Sequence, residues 1–210
     1  MGTRGAVGFR IHKEDKVTYN HSDSYPSGLG QDVLDFIKTN SLEDIKRAAH
    51  NLMVIDGETE PTLNQIKECA KWTDTSVSNQ SLKDWYCLLR KAQGNLNSYI
   101  DGLKYMNDGR DFLLDSLFCE YAYIINLDTQ ELEFYSGFNR LPRLRKGRYA
   151  NQKVERERPN EYYGVVLNWK IPLSTIQKST SVEQREMISK MQKKADNFYS
   201  KQEKELSKPK

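Results

Sequence analysis

Apolar residues alternate with others from Thr3 to Ile11, where Val7, Phe9 and Ile11 fall at period two, the spacing of a half-buried strand. His12-Lys13-Glu14-Asp15 interrupts the pattern and Val17-Thr18-Tyr19 resumes it, which predicts a hairpin. Pairing Ile11 with Lys16 sets Arg4 opposite Asp23 and Ala6 opposite His21. A second alternation runs through Tyr121, Tyr123, Ile125 and Leu127, turns at Asp128-Thr129-Gln130 and resumes at Leu132 and Phe134. It predicts a second hairpin, and Tyr162 to Trp169 has the β-branched and aromatic composition of one further strand.

Between the hairpins the period is helical. Val33, Leu34, Phe36 and Ile37 form one stripe; Ser41, with Asp44 three residues on, caps a second helix carrying Leu42, Ile45, Ala49 and Leu52. Pro61 suits the first turn of a third helix through Trp72, with Leu63, Ile66 and Ala70 inward. Ser81 opens a fourth, in which Leu82, Trp85, Tyr86 and Leu89 keep the period until Gly94, and a looser helical piece runs from Leu96 to Tyr105. From Ser181 the composition shifts to Lys, Glu and Gln, while Met187, Met191, Ala195 and Tyr199 recur every four residues, flanked by Ile188 and Phe198. That is an amphipathic helix, which docks on the domain or seeks a partner helix. The expected class is α+β: an antiparallel sheet from two hairpins plus one further strand, with a helical insertion over about residues 31–118. Residues 1–176 are expected to form a single domain, and residues 177–210 a charged C-terminal helix with a frayed tail.

Composition narrows the function classes. The 210 residues are 37% hydrophobic and 29% charged, enough for one core and a solvated extension, and the net charge of +3 alone nominates neither nucleic acid nor a membrane surface. No apolar run approaches the roughly 20 residues of a membrane span. The N-terminus lacks the apolar stretch of a secretory signal, and Ala6 stands where N-myristoylation wants Ser or Thr. Cys69, Cys87 and Cys119 are too few for a disulfide framework and lack metal-ligand spacing, so a reduced, cytoplasmic protein without cofactor or metal is expected.

Two stretches carry chemistry. Residues 19–30, Tyr-Asn-His-Ser-Asp-Ser-Tyr-Pro-Ser-Gly-Leu-Gly, gather an imidazole, a carboxylate, a phenol and hydroxyls on a shaped loop. Arg4, His21, Asp23 and Tyr25 are its candidate catalytic residues, with Arg4 as an anion clamp and His21 as a base oriented by Asp23. The plainer account is an Arg4–Asp23 ion pair beside a turn. A Cys87 nucleophile is the remaining enzymatic option, against which stands its place among core-facing residues. His12 and His50 read as incidental. The second stretch is basic: Arg140, Arg143, Arg145, Lys146, Arg148, Lys153, Arg156 and Arg158 against Glu155 and Glu157 give eight minus two, +6, within 19 residues. With Tyr149, Tyr162 and Tyr163 interleaved or adjacent, it suits nucleic-acid phosphates, an acidic protein surface, or a solvated loop.

Thr3-Arg4 followed by Tyr-x-His-x-Asp-x-Tyr-Pro-x-Gly-x-Gly resembles an uncharacterised family found in phages, prophages and some fungi. Asp84-Trp85-Tyr86-Cys87-Leu88-Leu89-Arg90, Ala92-Gln93-Gly94, and Glu120-Tyr121-Ala122-Tyr123 through Asn126-Leu127-Asp128 to Glu133-Phe134-Tyr135 extend the resemblance over most of residues 3–139. It implies no activity. The phage setting implies an accessory protein that binds a host protein or nucleic-acid complex, in host takeover or counter-defence, through the basic stretch and the C-terminal helix. The alternative is a small hydrolase-like enzyme acting on an amide or phosphorylated ligand at the Arg4/His21/Asp23 loop.

Overall fold

The computed structural model describes residues 2–141, 146–153 and 161–208. Strands β1 (Gly5–Ile11), β2 (Glu14–Asn20), β5 (Tyr121–Asn126), β6 (Glu131–Ser136) and β7 (Val166–Pro172) form one sheet in the order β2-β1-β5-β6-β7. The class is α+β, but the sheet is mixed: each hairpin is antiparallel internally, and β1 joins β5 in parallel, Gly5 opposite Tyr121 through Arg10 opposite Asn126. Each hairpin presents an edge to the other, and period-two patterning is the same for either pairing sense, so the parallel join leaves no local mark. The last strand begins at Val166, not Tyr162.

The first hairpin is tighter than expected. Ile11 pairs with Glu14, so Ala6 faces Tyr19 and the register is displaced by two residues from that predicted. The cause is a two-residue turn in which both His12 (φ 54°) and Lys13 (φ 64°) are left-handed, the conformation of a type I′ turn without its usual Asn or Gly. Asp128 compensates: its two carboxylate oxygens accept from the backbone N–H groups of His12 and Lys13, each at 2.8 Å.

One sheet face, carrying Val7, Phe9, Ile125, Leu132 and Phe134, is covered by α1 (Gln31–Thr39), α2 (Leu42–Asn51), α6 (Leu173–Lys178) and α7 (Ser181–Leu206). The stripe of α7 docks here through Met187, Met191 and Ala195, and Ser41 caps α2 as its spacing predicts. The other face packs Ala6, Val17, Ala122, Ile124 and Tyr135 against Leu113, Tyr149 and Val165.

The middle of the chain is less helical than its periodicity suggests. Helix α3 (Leu63–Cys69) ends in a 3₁₀ turn at Ala70–Trp72, while α4 (Trp85–Leu88) and α5 (Asn97–Ile100) are single turns. Met53–Ile55 (β3) and Tyr105–Asn107 (β4) pair in parallel as a separate two-stranded sheet. Leu63 is 77% exposed and Leu82 and Ala70 are exposed too; the segment buries Cys69 and Trp72 instead. A Thr62–Gln65 capping box starts α3 one residue after Pro61.

Lys16 closes α2 from β2. Its ammonium donates to the carbonyls of Ala49, His50 and Leu52 at 2.9, 3.2 and 2.7 Å, which the helix end leaves without partners. Burial lowers its pKa, with Glu14 acting the other way. Lys16→Met keeps the stem and removes the donors; it is expected to cost about 1.5 kcal/mol in denaturant unfolding, with Lys16→Arg recovering part of it.

Candidate anion-binding cluster

Arg4 does not face Asp23. It leads into β1, its backbone N–H donates to Glu120 Oε1 at 3.3 Å, and its guanidinium lies over the Phe118 ring, 4.6 Å from the centroid. Its charge lies near enough to Tyr19 to pull the phenol pKa down. The Tyr19 ring stands edge-on to Phe112 at 5.0 Å, and its hydroxyl lies 3.1 Å from His21 Nδ1. Arg90 completes the group from the turn after α4, its guanidinium over the Tyr86 ring at 5.6 Å and hydrogen-bonded to Gln93. Burial pushes the Tyr19 phenol pKa up, Arg4 and Arg90 pull it down, and Tyr86 adds to the upward push. Arg4 and Arg90 are half-buried, and neither forms an ion pair with a carboxylate among the described residues. Half-buried guanidinium groups around a phenol and an imidazole form a set of donors suited to an anion.

Asp23 belongs to a different place. Left-handed at φ 54°, it lines an open cleft of about 460 Å³ with Asp32, Asp35, Asn20, Asn95 and Asn97. The charged residues of this lining are all carboxylates, and burial, then Asp35, pushes the Asp32 carboxyl above its usual range. Gly94 stands at the cleft wall with φ +75°, where a Cβ would lie 2.4 Å from Asn20 Oδ1. Arg4, His21 and Tyr25 are not in the lining, and Tyr25 is 38% exposed. The four loop candidates are therefore separated: Arg4 and His21 stand near Tyr19, Asp23 lines the acidic cleft, and Tyr25 is in neither place. Cys87 is buried, its sulfur bonded to the Val77 carbonyl at 3.2 Å, and burial raises its thiol pKa, the reverse of an activated nucleophile. His12 and His50 stand edge to face at 5.8 Å, away from these groups.

The basic stretch is only partly on view, because Arg143, Arg145, Arg156 and Arg158 lie outside the described residues. Arg148 is structural. It bonds Glu133 through both carboxylate oxygens at 2.9 and 2.7 Å and reaches Asp15 at 3.4 Å, while Tyr149 donates to Asp15 and Tyr135 to Glu133. Arg140 pairs with Glu161 and lies over Tyr162, and Lys153 lies over Tyr163 at 4.3 Å. Lys146 is exposed.

Neither periodicity nor spacing in the sequence joins Arg90, Trp85 or Tyr86 to Tyr19; they come from the Asp84–Arg90 stretch, far along the chain. Among the described residues there is no group of three or more His, Cys, Asp or Glu side chains placed to hold a metal ion, and no helix long and apolar enough to cross a membrane. Comparison with family models, curated proteins and solved structures returns no match.

Proposed function

We propose that this chain is a cytosolic accessory protein of the phage type that acts by binding, and that the Tyr19 cluster receives an anionic group of its host partner. The observation that carries this reading is that two half-buried guanidinium groups, Arg4 over Phe118 and Arg90 over Tyr86, are near enough to Tyr19 to pull its pKa down while neither is in an ion pair among the described residues. Arginine held half-buried loses hydration that a carboxylate or phosphate restores through paired N–H donors. The resemblance to phage and prophage proteins supplies the setting. A hydrolytic reading would need Arg4, His21, Asp23 and Tyr25 around one pocket, and their separation counts against it. The basic stretch remains a second contact surface through Arg143, Arg145, Arg156 and Arg158.

The test is affinity capture of tagged full chain from host lysate, with and without nuclease, alongside Arg4→Gln/Arg90→Gln and Arg143→Glu/Arg145→Glu. Arg148 stays out of the variants because it holds the fold. The expected result is a stoichiometric partner whose recovery falls at least about tenfold with the Arg4/Arg90 variant, the size of one lost charge-assisted contact. Recovery undiminished by that variant but abolished by the other overturns the assignment and moves the surface to the basic stretch.

A further inference from the structure

We infer that a small cavity beside the Tyr19 cluster seats one oxygen of a terminal oxyanion, a phosphate monoester or a carboxylate, and that this oxygen takes the N–H of Trp85. The inference rests on the anion-binding reading and specifies how the anion is held.

Trp85 is 1% exposed, and its Nε1 has no hydrogen-bond partner in the protein. Indole nitrogen is a donor only, so its need is specific: an oxygen acceptor must come to it. Trp85 lines a cavity of about 50 Å³ together with Thr18, Tyr19, Tyr86, Gln93 and Asn107. Arg90 lies over the Tyr86 ring and is bonded to Gln93, and Tyr19 feels the charge of both Arg4 and Arg90, so cavity and cationic cluster share a wall. The cavity's carboxylate, Asp108, is already neutralised by Arg110, whose Nε lies 2.9 and 3.0 Å from its two oxygens. An anion approaching Trp85 therefore meets no uncompensated negative charge, unlike one entering the cleft of Asp23, Asp32 and Asp35.

Size decides the class of ligand. About 50 Å³ has room for one or two water-sized groups and excludes a nucleobase or sugar ring. What enters is the end of a ligand, and what the surrounding arginines select is a terminal group with charge on several oxygens. One oxygen meets the indole while the others stay within reach of the guanidinium groups.

The experiment uses the full chain labelled with ¹⁵N, titrated at constant ionic strength with inorganic phosphate, with acetate and with chloride. Trp72→Phe and Trp169→Phe assign the three indole signals by elimination, so no change at Trp85 is needed. The expected result is a saturable downfield shift of the Trp85 indole proton, with Trp72 and Trp169 unmoved and the half-saturation raised at least about tenfold by Arg4→Gln/Arg90→Gln. Tighter saturation by phosphate assigns a phosphate monoester, and by acetate a carboxylate. A silent Trp85 indole while the His21 ring signals shift to saturation overturns the seat and leaves the anion cluster standing. If neither responds, or chloride acts equally, the anion-binding reading falls and the seat with it.

Discussion

Replacing Arg148 with methionine is expected to destabilise the fold by about 3 kcal/mol at neutral pH, because it strands a buried carboxylate. Glu133 is 1% exposed in the sheet, and Lys170, at 3.6 Å, is a longer and more exposed substitute for Arg148. Burial drives the Glu133 pKa up, yet donation from Arg148, Asn126 and Tyr135 outweighs it and holds the carboxyl below its usual range. In the wild type this group therefore stabilises the fold above the unfolded carboxylate pKa, and that contribution is lost as pH falls through the folded value. Without Arg148 the burial effect dominates and the folded pKa is raised, so the contribution now falls as pH rises. Denaturant curves should thus show the gap between wild type and Arg148→Met widest near pH 7 and narrowing towards about pH 4. Arg148→Met/Glu133→Met should recover more than half of the loss, since removing both charges leaves neither stranded. A gap that stays constant across this range refutes the account.

Phe9→Ala should cost still more, about 4 kcal/mol, as large aromatic deletions in a closed core do. Phe9 is fully buried on β1, which has strands on both sides, and its ring stands 6.2 Å from Phe36 and 6.1 Å from Tyr99. It joins the sheet to α1 and to α5, two elements that cannot both close on an alanine. Phe9→Leu should regain more than half, with unchanged denaturant dependence. A Phe9→Ala loss below about 1 kcal/mol would mean that the core collapses around the gap.

These elements also show which parts of the fold are legible in sequence. The hairpin of β5 and β6 shows apolar residues at period two, although β5 is buried on both faces, and α1, α2 and α7 show helical stripes, with a cap legible at α2. β3 and β4 are three residues each and find each other across half the middle of the chain, so no local period marks them. The stripe of α3 misleads because that helix sits at the surface, held by its capping box rather than by Leu63.

Charge was the least legible quantity. Arg148 counts towards a basic surface in the sequence, and only the fold places Glu133 and Asp15 against it. The predicted register sets Arg4 against Asp23, two residues from the pairing observed, and nearness in sequence joins His21 to Asp23, where the fold puts the His21 ring beside the Tyr19 hydroxyl. Arg90 and Trp85, from a segment about seventy residues away, could be joined to them only by tertiary structure.

The parallel join of β1 to β5 sets the order in which the molecule can assemble. Asp128 meets the β1–β2 turn at His12 across 116 residues, so the sheet closes only after a loop of that length has been gathered in. Loop closure of this kind grows slowly in entropy but delays the contacts that repay it, which makes for a folding rate governed by topology more than by stability. On the ribosome the N-terminal hairpin is complete long before β5 emerges, and through that interval the inner edge of β1 carries unpaired backbone groups beside Val7 and Phe9. An exposed apolar strand edge is a template for intermolecular pairing. The tight turn of the first hairpin therefore matters during synthesis as well as in the finished fold, because it pairs β1 with β2 early and leaves a single edge of β1 open until β5 arrives.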